Sequence, residues 1–246
     1  LAIDYSQFEL RIAATLSGDR ALTKAFKAGE DIHAATGAAV FGVKPEAVTR
    51  DQRRVAKAIN FGILYGMGAG ALAVSAGISR QEAEEYIAAY FAAYAELAEW
   101  IETTKALAAK RGYVETLFGR KRFLPEITSG VPQVRAAAER MAVNMPIQGT
   151  QADILKMAMI RADQWIRGEN FSPSGREGER EGVARSDRIR MLLTVHDELV
   201  FEVRDDFLRE ATKSLTDILE HIHKLAVPVV VEAKVGKNWG KMEKVA

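Results

Sequence analysis

RRVAKAINFGILYG, Arg53 to Gly66, follows Thr49 and Gln52, a pair spaced three apart as in a capping box, so the sequence predicts a helix that begins there and runs on through Asn60. Each step of four residues advances about 40° around a helix, which spreads Arg53, Lys57, Phe61 and Tyr65 over roughly one third of its circumference. Two cations are thus followed by two aromatic rings on one face. Cations suit phosphate oxygens and flat rings suit a sugar or base, so this face fits a nucleotide lying lengthwise, triphosphate near Arg53 and base near Tyr65. The same pattern also fits a solvated basic first turn running into buried aromatics, so other segments have to decide.

The 246 residues suit one large domain or two small subdomains, and 48% hydrophobic content is enough for a core. A net charge of +1 excludes a globally basic DNA coat but leaves room for a local basic cleft. With no cysteine, disulfides and thiolate metal sites are ruled out, and no apolar run is long enough to suggest a membrane span. No signal peptide is visible. The sequence opens on Leu1 inside what reads as a strand, as expected of a piece of something longer.

In chain order, LAIDY reads as a short apolar strand with Asp4 at its end, followed by a helical pattern (Phe8, Leu10, Ile12, Ala13, Leu16) up to Gly18. Asp4 fits a helix N-cap or an oxygen ligand for a divalent cation. Two short helices are expected between Asp19 and Val43, with Glu30, Asp31 and His33 near the start of the second; a lone histidine is usually a surface or packing residue. Gly66, Gly68 and Gly70 follow a helix instead of a strand, so they read as a flexible turn and not as a phosphate loop. Ser79 and Glu82 form a second capping box, opening one long helix to Gly112 with a core stripe of Tyr86, Ile87, Tyr90, Phe91, Tyr94, Leu97 and Ile101. A hairpin is expected around Gly119, carrying Arg120, Lys121 and Arg122, which either touch a phosphate backbone or are solvated. Val131 to Trp165 reads as helical, broken or kinked at Pro146 and Gly149. Asn144 and Gln148 flank that point, as caps for loosened backbone or as readers of minor-groove acceptors. Gly168 to Arg188 reads as a mobile surface loop without chemistry. MLLTVHDELVFEV reads as two strands joined by a tight turn at His196 and Asp197, with Glu198 pointing elsewhere. An amphipathic helix from Phe207 to Leu225 and a last strand, VPVVVEAKV, complete the pattern; His221 and His223 lie about 200° apart on that helix, which argues against a shared zinc site.

Taken together, DYSQFELR (Asp4 to Arg11), RRVAKAINFGILYG and VHDE (Val195 to Glu198) resemble, in the family's order, motifs of the family A DNA polymerases of the bacterial DNA polymerase I type, and ERMAVNMPIQGTQAD and TLFGRKRFLP also look like segments of that family. The resemblance implies an α+β fold: a polymerase palm with a small antiparallel sheet (residues 1–30 and 131–246, including the loop at 168–188) and a mainly helical fingers subdomain (residues 31–130). It implies template-directed addition of deoxynucleotides to a primer 3′-hydroxyl, with primer-template DNA and deoxynucleoside triphosphates as partners and no membrane. Asp4 and Asp197 would hold two Mg²⁺ ions, Mn²⁺ being able to substitute, with Glu198 in support and the Tyr5 carbonyl as a further ligand. Arg53, Lys57 and His33 would grip the triphosphate, with Lys57 also a proton donor to pyrophosphate. Phe61 would pack near the sugar, and Tyr65 would sit at the template side of the closing pair. Glu9 would be the steric gate against a ribose 2′-hydroxyl, with Gln7 also facing substrate. Phe61 matches members that reject dideoxynucleotides, so Phe61→Tyr is expected to ease chain termination. Arg140, Asn144, Gln148 and His196 would face the minor groove, and Arg122 would also contact DNA.

The resemblance begins almost at its first motif, so a thumb and any exonuclease domain are expected to lie outside this chain. The 168–188 loop looks longer than bacterial members lead one to expect. A cytoplasmic, nucleoid-associated location follows from the resemblance, or an organellar one. Two other readings compete: a single-subunit RNA polymerase, against which Glu9 and Tyr65 argue, and a nucleotide- or DNA-binding fragment without turnover.

Overall fold

The computed structural model describes residues 1–169 and 184–245, so most of the surface loop expected over Gly168 to Arg188 lies outside the described residues. In chain order the elements are β1 (Ala2–Tyr5), α1 (Phe8–Ser17), α2 (Arg20–Lys27), α3 (Ile32–Phe41), α4 (Arg50–Leu64), α5 (Ala69–Ala76), α6 (Arg80–Ala93) and α7 (Ala95–Arg111). There follow β2 (Tyr113–Glu115), β3 (Lys121–Phe123), α8 (Pro132–Arg167), β4 (Ile189–Val195), β5 (Glu198–Val203), α9 (Leu208–His221), β6 (Val231–Asn238) and β7 (Lys241–Lys244). The fold class is α+β. The chain divides into two compact units, one of Leu1–Phe8, Gln151–Lys224 and Val229–Ala246, the other of Glu9–Thr150 and Leu225–Pro228.

The first unit is built on an antiparallel sheet in the order β4-β5-β1-β6-β7. β1 is central because nearly all of it is apolar: Ala2, Ile3 and Tyr5 are buried, and Asp4 alone turns a carboxylate to the other face. Asp4 therefore lies within the strand, and the helix N-cap reading is overturned; the ladder to Glu198 and Glu232 extends β1 through Tyr5. On the opposite face, the Tyr5 hydroxyl donates to the Leu219 carbonyl of α9 (3.0 Å), and Trp165 of α8 stacks on Phe207 (5.9 Å between ring centres). The expected last strand proves to be a hairpin, since β6 turns at Trp239 and Gly240 into β7.

The second unit is helical apart from the β2–β3 hairpin, which forms around Gly119 as expected. Both capping boxes are present, Thr49 with Gln52 and Ser79 with Glu82. The long helix expected up to Gly112 is instead two, α6 and α7, parted at Tyr94 (φ −120°, ψ 62°). The break has a cause: the buried carboxylate of Asp19 caps α2 at the Leu22 N–H (2.9 Å) and also accepts the Leu97 N–H (3.2 Å), supplying α7 with a start of its own. Tyr90, Tyr94, Leu97 and Ile101 of the expected stripe are buried. Gly70 lies within α5, with Gly68 as its N-cap, so only part of the glycine run is turn.

α8 runs unbroken through Pro146, against expectation. A proline inside a helix removes one backbone hydrogen bond at a cost of about 3 kcal/mol, which burial of the neighbouring Val143, Met145 and Ile147 opposes. One turn on, Gly149 lets α8 approach the hairpin so closely that a Cβ there would meet Thr116 Cγ2 at 2.5 Å. A compact core of Ala108, Val114, Leu124, Ile127, Ala138, Ala142 and Met145 ties α7, the hairpin and α8 together.

Candidate active site

In the first unit, antiparallel pairing sets Asp4 directly opposite Glu198 on one side and Glu232 on the other, so three carboxylates lie abreast on one face. Asp197 occupies the β4–β5 turn, one residue before Glu198, and its carbonyl accepts the Tyr5 N–H (3.3 Å). Its neighbour in the turn, His196, takes a left-handed backbone (φ 54°), as does Gln7 (φ 53°) after β1. Such conformations cost non-glycine residues about 1–2 kcal/mol and collect where geometry serves function. The Asp4 and Asp197 carboxyl groups lie side by side, and each shifts the titration of the other. Burial, then the negative charges of Asp197 and Glu198, push Asp4 up to about 6, with Lys234 partly offsetting them. Burial likewise raises Asp197. Glu198 is held by the Trp239 indole N–H (2.6 Å), and Glu232 is paired with Lys244 (2.8 Å).

Among the described residues no group of three or more histidine, cysteine or acidic side chains converges to cage a metal ion. Two adjoining carboxylates of raised pKa are nevertheless a fitting donor set for Mg²⁺, which takes one or two protein carboxylates and fills its remaining positions with water and substrate phosphates. A cation would relieve the repulsion between these adjoining carboxylates.

In the second unit, α4 carries Arg53, Lys57, Phe61 and Tyr65 in the spacing the sequence predicts, with Tyr65 as C-cap. Arg53 is tied to Asp31 (2.6 Å), which also caps α3 by accepting the His33 and Ala34 N–H groups. Burial tends to raise the Asp31 carboxyl, but Arg53 and these backbone donors hold it below the usual range. Lys57 is exposed. His33 is almost wholly buried, 4% exposed, with its ring 5.8 Å from Phe61 and its Nδ1 3.0 Å from the Asn60 amide nitrogen. Burial, reinforced by Arg53 and Lys57 against the pull of Asp31, lowers His33 to about 4. The Tyr65 hydroxyl donates to the Glu9 carboxylate in a short hydrogen bond.

Gly66 ends this helix with φ +71°, and a Cβ on it would meet Arg140 Cγ at 2.4 Å, so α4 and the stem of Arg140 on α8 are in close contact. Arg140 and Gln148 are exposed, and Asn144 Oδ1 is buried with no hydrogen-bond partner among the described residues. Arg122 lies against Met141 Sδ (3.2 Å). His196 is exposed.

The structure thus brings together Asp4, Asp197 and Glu198 within one unit, and Glu9 with Tyr65 and His33 with Phe61 within the other. Sequence reasoning passed over Asp31 as the partner of Arg53, Asn60 as the partner of His33, and Trp239 as the anchor of Glu198. Asn60 could have been suspected, since a polar residue between Ile59 and Phe61 in a buried stretch needs a partner.

The profile of DNA polymerase family A matches residues 1–241. The chain belongs to that family. It is 48% identical over 239 residues to DNA polymerase I of Pseudomonas aeruginosa, covering 97% of this chain and 24% of that protein. It is 44% identical to the thermostable DNA polymerase I of Thermus aquaticus, covering 97% of this chain and 27% of that protein. Among solved structures, the POL domain of Pol1 from M. smegmatis, in complex with DNA primer-template and dNTP, superposes with a TM-score of 0.81 at 39% identity, covering 94% of this chain and 38% of that one. The chain spans about a quarter of the length of these curated relatives.

Proposed function

We propose that this chain is the part of a DNA polymerase that performs template-directed addition of deoxynucleotides to a primer 3′-hydroxyl, releasing pyrophosphate. The observation that carries the reading is the Asp4–Asp197 pair, two adjoining, partly buried carboxylates of raised pKa on a chain of this family. Asp4 and Asp197, with the Tyr5 carbonyl, are the residues that would hold two Mg²⁺ ions, for which Mn²⁺ can substitute. Such ions, when bound, acidify the attacking hydroxyl and neutralise charge on the triphosphate. Glu198, restrained by Trp239, adds negative charge beside the pair.

Arg53 and Lys57 bind the triphosphate, and Arg53 exchanges its bond to Asp31 for a phosphate oxygen of higher charge. Lys57 delivers a proton to the leaving pyrophosphate as the new phosphodiester forms. Phe61 packs on the sugar, with Gln7 also facing substrate. Glu9, fixed by the Tyr65 hydroxyl, crowds the position of a 2′-hydroxyl. Tyr65 stacks at the template side of the closing base pair. Arg140, Asn144, Gln148 and His196 contact the minor groove, where every Watson–Crick pair presents acceptors, and Arg122 adds a phosphate contact. The palm and fingers assignments of residues 1–30, 31–130 and 131–246 belong to this reading. So does a cytoplasmic place of action, which the bacterial relatives favour.

A second reading is that the chain binds nucleotide and DNA without turning over. Extension of a labelled primer-template with four deoxynucleotides and Mg²⁺, compared between this chain and Asp197→Ala, separates the two. Extension lost only in the variant supports the polymerase. No extension by either, with DNA or nucleotide binding retained, supports the binding fragment.

A further inference from the structure

We propose that Asn60 is a positioning residue which fixes His33 in the Nε2–H tautomer, so that the ring offers one constant donor to a phosphate oxygen of the incoming nucleotide. The proposal rests on the triphosphate reading of the α3–α4 face given above.

Asn60 is fully buried on α4, where an amide must find partners for both its oxygen and its nitrogen. Its Oδ1 accepts the Thr36 hydroxyl (3.1 Å), and its Nδ2 lies 3.0 Å from His33 Nδ1. Thr36 Oγ1 is in turn 2.9 Å from the Tyr94 hydroxyl, at the break between α6 and α7. With the Asn60 amide oxygen toward Thr36, the single Thr36 hydroxyl proton goes to Asn60 and the Tyr94 hydroxyl donates to Thr36. The same orientation of the amide sets its NH₂ toward His33. An NH₂ group only donates, so Nδ1 must accept, and the ring proton is left on Nε2.

A protonated ring would set a second donor against that NH₂. The charged groups facing His33 are Asp31, at the cap of its own helix, and Arg53 and Lys57 from α4, the first favouring and the other two opposing its positive charge. The relay and the two cations together keep the ring neutral through the physiological range. The triphosphate then meets two permanent cations and one neutral donor whose hydrogen-bonding does not vary with pH.

The test combines ¹⁵N NMR of the histidine rings with deoxynucleoside triphosphate binding in the whole chain, native and Asn60→Asp, from about pH 5.5 to about pH 8. The native His33 ring should show Nε2–H throughout. In Asn60→Asp, where an acceptor replaces the NH₂, the ring should carry a proton on Nδ1 and become cationic as pH falls. Relative to the native chain, binding should tighten by about tenfold toward the acid end, as expected when a neutral hydrogen bond becomes charge-assisted. Thr36→Val, which removes only the donor that orients the amide, should show a mixture of tautomers if Asn60→Asp does not fold. A native ring with its proton on Nδ1, or variants that leave the ring state unchanged, would overturn the relay whatever the nucleotide does. Ring states as expected, with His33→Ala binding nucleotide as tightly as the native chain, would overturn the role assigned to His33 and with it the proposal.

Discussion

At the scale of single residues, the arrangement couples groups that the motifs present separately. Glu9 accepts from Tyr65, so the carboxylate proposed to exclude a 2′-hydroxyl is held from the end of α4. Glu9→Ala should raise ribonucleotide relative to deoxynucleotide incorporation in a primer-extension competition; an unchanged ratio would remove Glu9 from the gate. His33 gives a pH prediction whose sign follows from its shift. Its folded value of about 4 lies below the ordinary 6.5, so as pH falls through that window the unfolded chain takes up a proton that the folded chain refuses. Stability contributed by neutral His33 is therefore complete above about 6.5 and lost toward 4, and His33→Gln should flatten that part of a urea-midpoint profile. Asp4, Asp197, Arg53 and Lys57 were legible as candidates from their motif positions, and His33, which lies in none of those segments, only from the family resemblance. Their partners were not, because Asp31 with Arg53 (22 residues apart) and Asn60 with His33 (27 apart) meet only through tertiary packing.

At the scale of elements, local signals that carry their own chemistry were readable: both capping boxes, the β2–β3 and β4–β5 hairpins and the start of α4 all stand where the sequence places them. The misses occur where a distant group overrides a local pattern. Nothing between Ser79 and Gly112 says that the helix must stop at Tyr94, because the cap that starts α7 is Asp19, 78 residues from Leu97. Asp19→Ala removes the side-chain acceptor from two helix starts and should lower stability by about 2 kcal/mol, measured as a shift in denaturant midpoint at constant slope. Pro146 errs in the other direction, since a residue that breaks an isolated helix is tolerated where the flanking side chains are buried. β7 was missed because its residues, Lys241 to Lys244, lack the apolar alternation of a half-buried strand.

For the molecule as a whole, a net charge of +1 conceals strong local imbalance. Asp197 and Glu198 of the β4–β5 hairpin repel Asp4 on β1, and the sheet is held together in spite of them by buried neighbours such as Ile3, Leu199 and Phe201. Relief of that repulsion should be visible in global stability. In metal-free buffer near neutral pH, Asp4→Asn should unfold at a higher temperature than the native chain. Added Mg²⁺ should raise the native melting temperature and leave that of the variant nearly unchanged. Equal responses of the two proteins to Mg²⁺ would place the cation elsewhere. No helix among the described residues is long and apolar enough to cross a membrane.

Gly66 and Arg140 leave no clearance between them, not even for a methyl group. The tail of α4 and the stem of Arg140 on α8 therefore touch without slack, and a rotation of the first toward the second requires that stem to yield. On the proposed reading, the residue that stacks on the closing base pair and the arginine that faces the finished duplex adjoin through one glycine, so a side chain at position 66 would disturb both at once.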